Sequence, residues 1–257
     1  MSRSNRNGLL GRCAIPALIL AVGSAALPSY AAGNARASAK LSDYVVSGLK
    51  DFSETAIVAF HDDKALAKIS RDFGMAYRLS GDIHVRFMEP CRLRMDGKLG
   101  GGSAIYIVNR DTQYVRLSIG LKQKVGWHDE PGKRKTLLDF GLISGDYLTW
   151  TNSQFLGMRP VNGVQCAEFR LKYKIEDGTH RFIWVDPKTR CVLRREEYNR
   201  FGKLFATYYF RDPKEVAPGI WFPTRAEVFN SEEERAGEMD YRNVKINEGL
   251  TDAEFVL

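Results

Sequence analysis

Four histidines, His61, His84, His128 and His180, stand apart from one another and from any glutamate at a spacing that would make a metal site or a general base. A zinc hydrolase needs two histidines one helical turn apart with a glutamate between them, a serine hydrolase a G-x-S-x-G elbow, and a nucleotide enzyme a glycine loop ending in Gly-Lys-Ser/Thr. None of the three occurs. Gly100-Gly101-Gly102-Ser103 lacks the phosphate-loop ending and reads as a hairpin tip. Glu196-Glu197 and Glu232-Glu233-Glu234 read as solvated surface, because neighbours on a strand point to opposite faces and the second run sits in a turn. No catalytic residue, metal ligand or cofactor site is assigned, and the chain is not read as an enzyme.

Two other kinds of reactive side chain remain. Of the four cysteines Cys13 falls in the first 31 residues, read below as a cleaved address. Cys91, Cys166 and Cys191 that remain are an odd number, so one disulfide and one leftover thiol is the arithmetic in an oxidising compartment, with Cys166 and Cys191 on neighbouring strands as the possible pair. No Cys-x-x-Cys accompanies them, which argues against metal. Basic clusters at Arg92/Arg94/Lys98, Lys133-Arg134-Lys135 and Arg190/Arg194/Arg195 invite a nucleic-acid reading, but Glu168, Glu196 and Glu197 interleave with them. A dock for an anionic lipid head group or a partner protein fits better than nucleic acid, and ordinary polar strand faces fit as well.

The first 31 residues read as an address. Arg3, Arg6 and Arg12 precede an apolar run from Ala14 to Leu27, and Ser29-Tyr30-Ala31 places small residues where a signal peptidase cuts. Cleavage after Ala31 and a periplasmic destination are expected, since about fourteen apolar residues fall short of the roughly twenty a spanning helix needs. Loss of the three arginines lowers the net charge from +7 to +4, a mild excess.

The elements that must carry these side chains are mostly strands. Residues 32–40 read as a mobile leader, followed by amphipathic helices at 41–52 and 62–72 and a sheet that begins near Phe73. Ile83, Val85 and Phe87 alternate with polar neighbours; Ala104 to Asn109 and Tyr114 to Ile119 form a hairpin; Gly126 to Lys135 reads as an exposed loop. Thr136 to Trp150 returns to helical spacing, weakened by Gly141 and Gly145. Val164 to Lys174 alternates cleanly, with Ala167, Phe169, Leu171 and Tyr173 on the dry face. His180 to Asn230 reads as three or four antiparallel strands, of which Phe182 to Val185 is apolar on both faces.

That last stretch also carries a resemblance. Trp184-Val185-Asp186-Pro187, Arg194 to Asn199, Gly202, Asp212, Gly219 and Phe222-Pro223 resemble the second half of the LolA/LolB-like lipoprotein carrier superfamily. The ending from Tyr241 to Phe255 is similar to an uncharacterised LolA-related bacterial family of the DUF1571 type. The resemblance implies a single LolA-like domain over residues 41–257: an α+β fold, a curved antiparallel sheet forming an incomplete barrel with helices capping its concave face. It further implies non-catalytic binding or transport of a lipid or acylated protein in the cell envelope by a monomer, with an envelope membrane protein as a further partner. Ile83, Val85, Phe87, Val115, Leu117, Phe169, Leu171, Trp184, Phe205 and Tyr209 would then line a hydrophobic cavity gated by the helices, or else make a dry core. The competing reading is an envelope sensor module that binds a regulatory protein, as the same fold does in envelope-stress regulators; a hydrolase ranks third.

Overall fold

The computed structural model describes residues 38–70, 73–127 and 130–257. The expected signal peptide with its expected cleavage site, most of the expected leader, and His128 lie outside them. Fifteen strands are formed: β1 Asp51–His61, β2 Ser80–Met88, β3 Arg92–Leu99, β4 Gly102–Asn109, β5 Thr112–Leu117, β6 Lys122–Gly126, β7 Thr151–Val161, β8 Val164–Tyr173, β9 His180–Val185, β10 Val192–Tyr198, β11 Leu204–Arg211, β12 Lys214–Ala217, β13 Ile220–Phe222, β14 Arg225–Asn230 and β15 Arg235–Ile246. Two short α-helices, α1 Asp63–Ile69 and α2 Gly145–Thr149, and five 3-10 turns complete the described chain.

Thirteen strands make one antiparallel sheet in the order β6-β5-β4-β3-β2-β1-β15-β14-β11-β10-β9-β8-β7, while β12 and β13 pair separately. The order is linear, so β6 and β7 are open edges and the barrel is incomplete. Each edge has a sequence that discourages further pairing: Lys122 and Lys124 on β6, Gly157 at a register shift and Pro160 on β7. Hairpins join strand to strand along each half, as at Gly100-Gly101, both at positive φ, between β3 and β4. The halves meet at β1 and β15, where Phe52 faces Ile246 and Ala56 faces Tyr241.

Several sequence expectations change. The helix expected over 41–52 is a single turn at Leu41–Tyr44, after which the chain turns into β1, the longest strand of its half. Residues 73–78 are a 3-10 turn, so the sheet does not begin there. The loop at 126–135 is only partly exposed, because Trp127 and Pro131 are buried. Thr136 to Trp150 holds two separate turns instead of one helix. Its first turn starts on a capping box, Thr136 with Asp139, and stops at Gly141, whose φ of 76° is the left-handed cap.

One face of the sheet, the inner face, is covered by α1, the 73–78 turn and the 136–149 segment. Phe52 and Phe87 from β1 and β2 on this face, with Phe222 from β13 of the separate two-stranded sheet, surround Phe140, with ring centroids 4.8 to 5.7 Å from that of Phe52 or Phe87 in their near contacts. Phe140 belongs to the cover. The covering segment is therefore seated by an aromatic plug, and full burial of a side chain of this size is worth about 1.5–3 kcal/mol.

Candidate functional site

Register decides which side chains share the inner face. Phe169 on β8 pairs with Ile183 on β9, Ile183 with Arg195 on β10, and Arg195 with Tyr208 on β11. Leu171 pairs with Arg181, and Arg181 with Glu197. Two arginines and a glutamate thus occupy inward positions, where alternation elsewhere places Phe and Val.

Glu197 sits between the two guanidinium groups. Arg181 Nε donates to Glu197 Oε1 at 3.3 Å, and Arg195 Nε lies 3.2 Å from the same oxygen. Burial pushes the Glu197 carboxyl up, but the adjoining Arg181 and Arg195 charges outweigh it and hold the group below its usual range. Arg195, 3% exposed, also donates through Nη1 to the Leu138 carbonyl at 2.8 Å, and Asp139 Oδ1 lies 3.7 Å away. Its guanidinium stacks on Tyr208 at 4.0 Å, and that of Arg181 on Tyr173 at 4.7 Å. The charged network therefore ties the sheet to its cover, together with the bond from Val192 N to the Gly141 carbonyl at 2.8 Å.

Beside this network lies a cavity of about 210 Å³, bounded by Lys135, Asp139, Tyr173, Arg181, Arg195 and Glu197 among others. A second space of about 270 Å³ is lined by Leu41, Leu148, Phe155 and Phe169, with Lys40 and Ser153 at its polar side. Neither matches the ten-residue wall expected from the sequence. Phe205, at the register shift between β10 and β11, borders the first; Phe169 borders the second. Ile83, Val85, Phe87, Val115 and Leu171 are buried in packing, and Leu117 is half-buried. Trp184 and Tyr209 flank Arg194 on the face opposite Ile183, Arg195 and Tyr208, with the Arg194 guanidinium 4.7 and 5.7 Å from their rings. The ten residues do not share one wall.

Two further expectations are corrected. Cys91, Cys166 and Cys191 are buried free thiols, so the Cys166–Cys191 pair is not formed. Glu197 is not solvated surface, and Glu196 on the other face is 8% exposed. Lys135 and Arg195, from two separate basic clusters in the sequence, come together at one cavity. The missed signal was the spacing Arg195-x-Glu197 within an otherwise apolar strand face.

Elsewhere on the inner face Glu54 is 4% exposed, and both its carboxylate oxygens lack a hydrogen-bond partner among the described residues. Burial raises its carboxyl well above the ordinary range. Among the described residues no cluster of three or more His, Cys, Asp or Glu could hold a metal, and no helix is long and apolar enough to cross a membrane.

Comparison with known proteins places this geometry in a fold. A family described only as an uncharacterized protein matches residues 139–257. No curated protein matches the chain. Among solved structures, one described as an outer membrane lipoprotein-sorting protein domain, from Vibrio parahaemolyticus, is 15% identical with a TM-score of 0.56, covering 84% of this chain and 92% of that one. A LolA superfamily protein from Nitrosomonas europaea is 12% identical, TM-score 0.54, over 84% and 94% of the two chains. A DUF1329 family protein from Desulfovibrio piger is 15% identical, TM-score 0.51, over 84% and 92%. The chain has the LolA-like fold; the DUF1571-type likeness stays an expectation.

Proposed function

We propose that the protein binds an acylated ligand, a lipid or a lipid-bearing protein, in the bacterial cell envelope, without catalysis. The observation that carries this reading is the identity of the ring that fills the aromatic patch on the inner face. Phe140 belongs to the 136–149 cover, and not to the sheet, so lifting the cover exposes Phe52, Phe87 and Phe222 as an apolar wall. An acyl chain laid in that place would replace Phe140. Burying about twelve methylenes at roughly 0.8 kcal/mol each would supply on the order of 10 kcal/mol before ordering costs, enough to offset displacement of the ring.

The cover is a short segment between β6 and β7, the two edge strands of the sheet. It consists of two single turns, and it is held to β10 by the Arg195 bond to Leu138 and the Val192 bond to Gly141. The space at Leu41, Leu148, Phe155 and Phe169, with Lys40 and Ser153 on its polar side, adjoins its far end and offers a start for the chain. The fold shared with a lipoprotein-sorting domain supports the same reading. The periplasm is the compartment proposed, on the residues that precede Ala32.

Native mass spectrometry of protein purified from its own envelope tests this. A lipid adduct that a fluorescent fatty acid displaces is expected; an adduct-free protein that also ignores the fatty acid ends the proposal.

A further inference from the structure

The cavity at Lys135 is the wrong chemistry for an acyl tail. Four cations border it, Arg134, Lys135, Arg181 and Arg195, against two carboxylates, Asp139 and Glu197; Arg134 is paired outward with Asp111 at 2.7 Å. Glu197 is already shared by both arginines. Asp139 is engaged at the cap of its own turn, where Oδ2 accepts from Thr136 N at 2.9 Å. Lys135 feels the same two carboxylates, Asp139 and Glu197, and among the described residues it forms an ion pair with neither. Among the described residues Arg195 Nε is fully buried and lacks a hydrogen-bond partner, because its approach to Glu197 does not have bonding geometry. An excess of positive charge with unused donors, taken out of water, is costly unless something supplies the missing anion.

We propose that this cavity is a binding site for a phosphate-class anion, either on a lipid head group or free in solution. Guanidinium groups present planar forks of donors that match phosphate oxygens, and Lys135 adds a point charge from the cover, opposite the sheet. The volume of about 210 Å³ accommodates a phosphate with a small glycerol-sized attachment and is below the range of sites that bury drug-sized ligands. The site deepens the acyl-ligand reading by naming the head group, and it adjoins the same cover that Phe140 plugs. It does not require that reading, because free phosphate satisfies the same donors.

The test uses the full mature chain, phosphate-free buffer, and three probes: inorganic phosphate, a short-chain lysophosphatidic acid, and the monoacylglycerol of the same chain length. Thermal shift and calorimetry are read on the wild type, Lys135→Gln and Lys135→Arg. Saturable binding of phosphate and lysophosphatidic acid, in competition, is expected. K135Q should weaken both by about tenfold, as for loss of one charge-assisted contact, while K135R restores them. K135Q removes the attraction of Lys135 to Asp139 and Glu197 and should lower the melting temperature slightly in the phosphate-free buffer, a loss that K135R restores. Lysophosphatidic acid bound at least about tenfold tighter than phosphate identifies a lipid as the source, and equal affinities identify free phosphate. Binding of the monoacylglycerol with no response to either phosphate-bearing probe overturns the anion site and leaves the acyl reading intact. Phosphate binding without any acyl binding does the reverse. Affinities that K135Q leaves unchanged overturn the site in either case.

Discussion

The inner face is built twice by the same alternation, with opposite contents. Toward β1 and β2 the inward positions are aromatic or aliphatic apart from the buried Glu54, and Phe140 fills the middle. Toward β9 and β10 the inward positions are Arg181, Arg195 and Glu197, and a cavity stays open beside them. One covering segment spans both, giving Phe140 to the first region and Lys135 and Asp139 to the second. Dispersion and exclusion of water fill the apolar region with the protein's own atoms, whereas charges must keep bonding geometry and cannot collapse onto one another. The two regions therefore share one covering segment a few residues long.

The largest effect is expected from Arg195→Met. It removes the tie to Leu138 and leaves Glu197 buried with Arg181 alone, at a cost of about 4 kcal/mol in urea unfolding at pH 7. A loss below about 1 kcal/mol would show that the charged region carries no structural weight. Phe140→Ala should cost somewhat less, about 3 kcal/mol, and should strengthen fatty-acid binding, because the plug is gone while the wall stays. If binding weakens instead, the aromatic region is only core. Gly141→Ala tests the junction between them. The residue lies at φ 76°, and an added Cβ would sit 2.7 Å from the Phe210 ring, so about 2 kcal/mol should be lost.

Glu54→Gln gives the smallest change and the opposite sign. The folded protein holds the Glu54 proton that the unfolded chain releases above about pH 4.5, so wild-type stability falls as pH rises past that value. Glutamine removes this slope. The variant should match the wild type at pH 4 and exceed it at pH 8 by about 1 kcal/mol in paired denaturation curves. Identical slopes would place Glu54 in contact with water.

What could be read from the residues follows the same division. The strands β8, β9, β10, β11 and β14 were legible because Phe169, Leu171, Ile183 and Val185 alternate with charge or run together between turns. β1 was not, because Glu54 and the small Ala56 occupy its inward positions and erase the apolar period. β6 and β7 were hidden for a different reason: an edge strand is half solvated, and its protective Lys, Gly and Pro are the residues that signal loops. The charged site was invisible in one dimension. Arg195 and Glu197 look like any polar strand face until Lys135 is brought opposite them by the cover, some sixty positions earlier in the chain.

The seam between β1 and β15 has a kinetic meaning. The two half-sheets are each local meanders whose hairpins can close in microseconds, yet they join only when Phe52 finds Ile246 across nearly the whole sequence. Loop closure over that span makes the joining step slow relative to the hairpins, and β14 cannot complete its pairing until β15 arrives. A chain synthesised from its amino end would keep β1 waiting, with Glu54 exposed and ionised, until the last strand emerged to seal it.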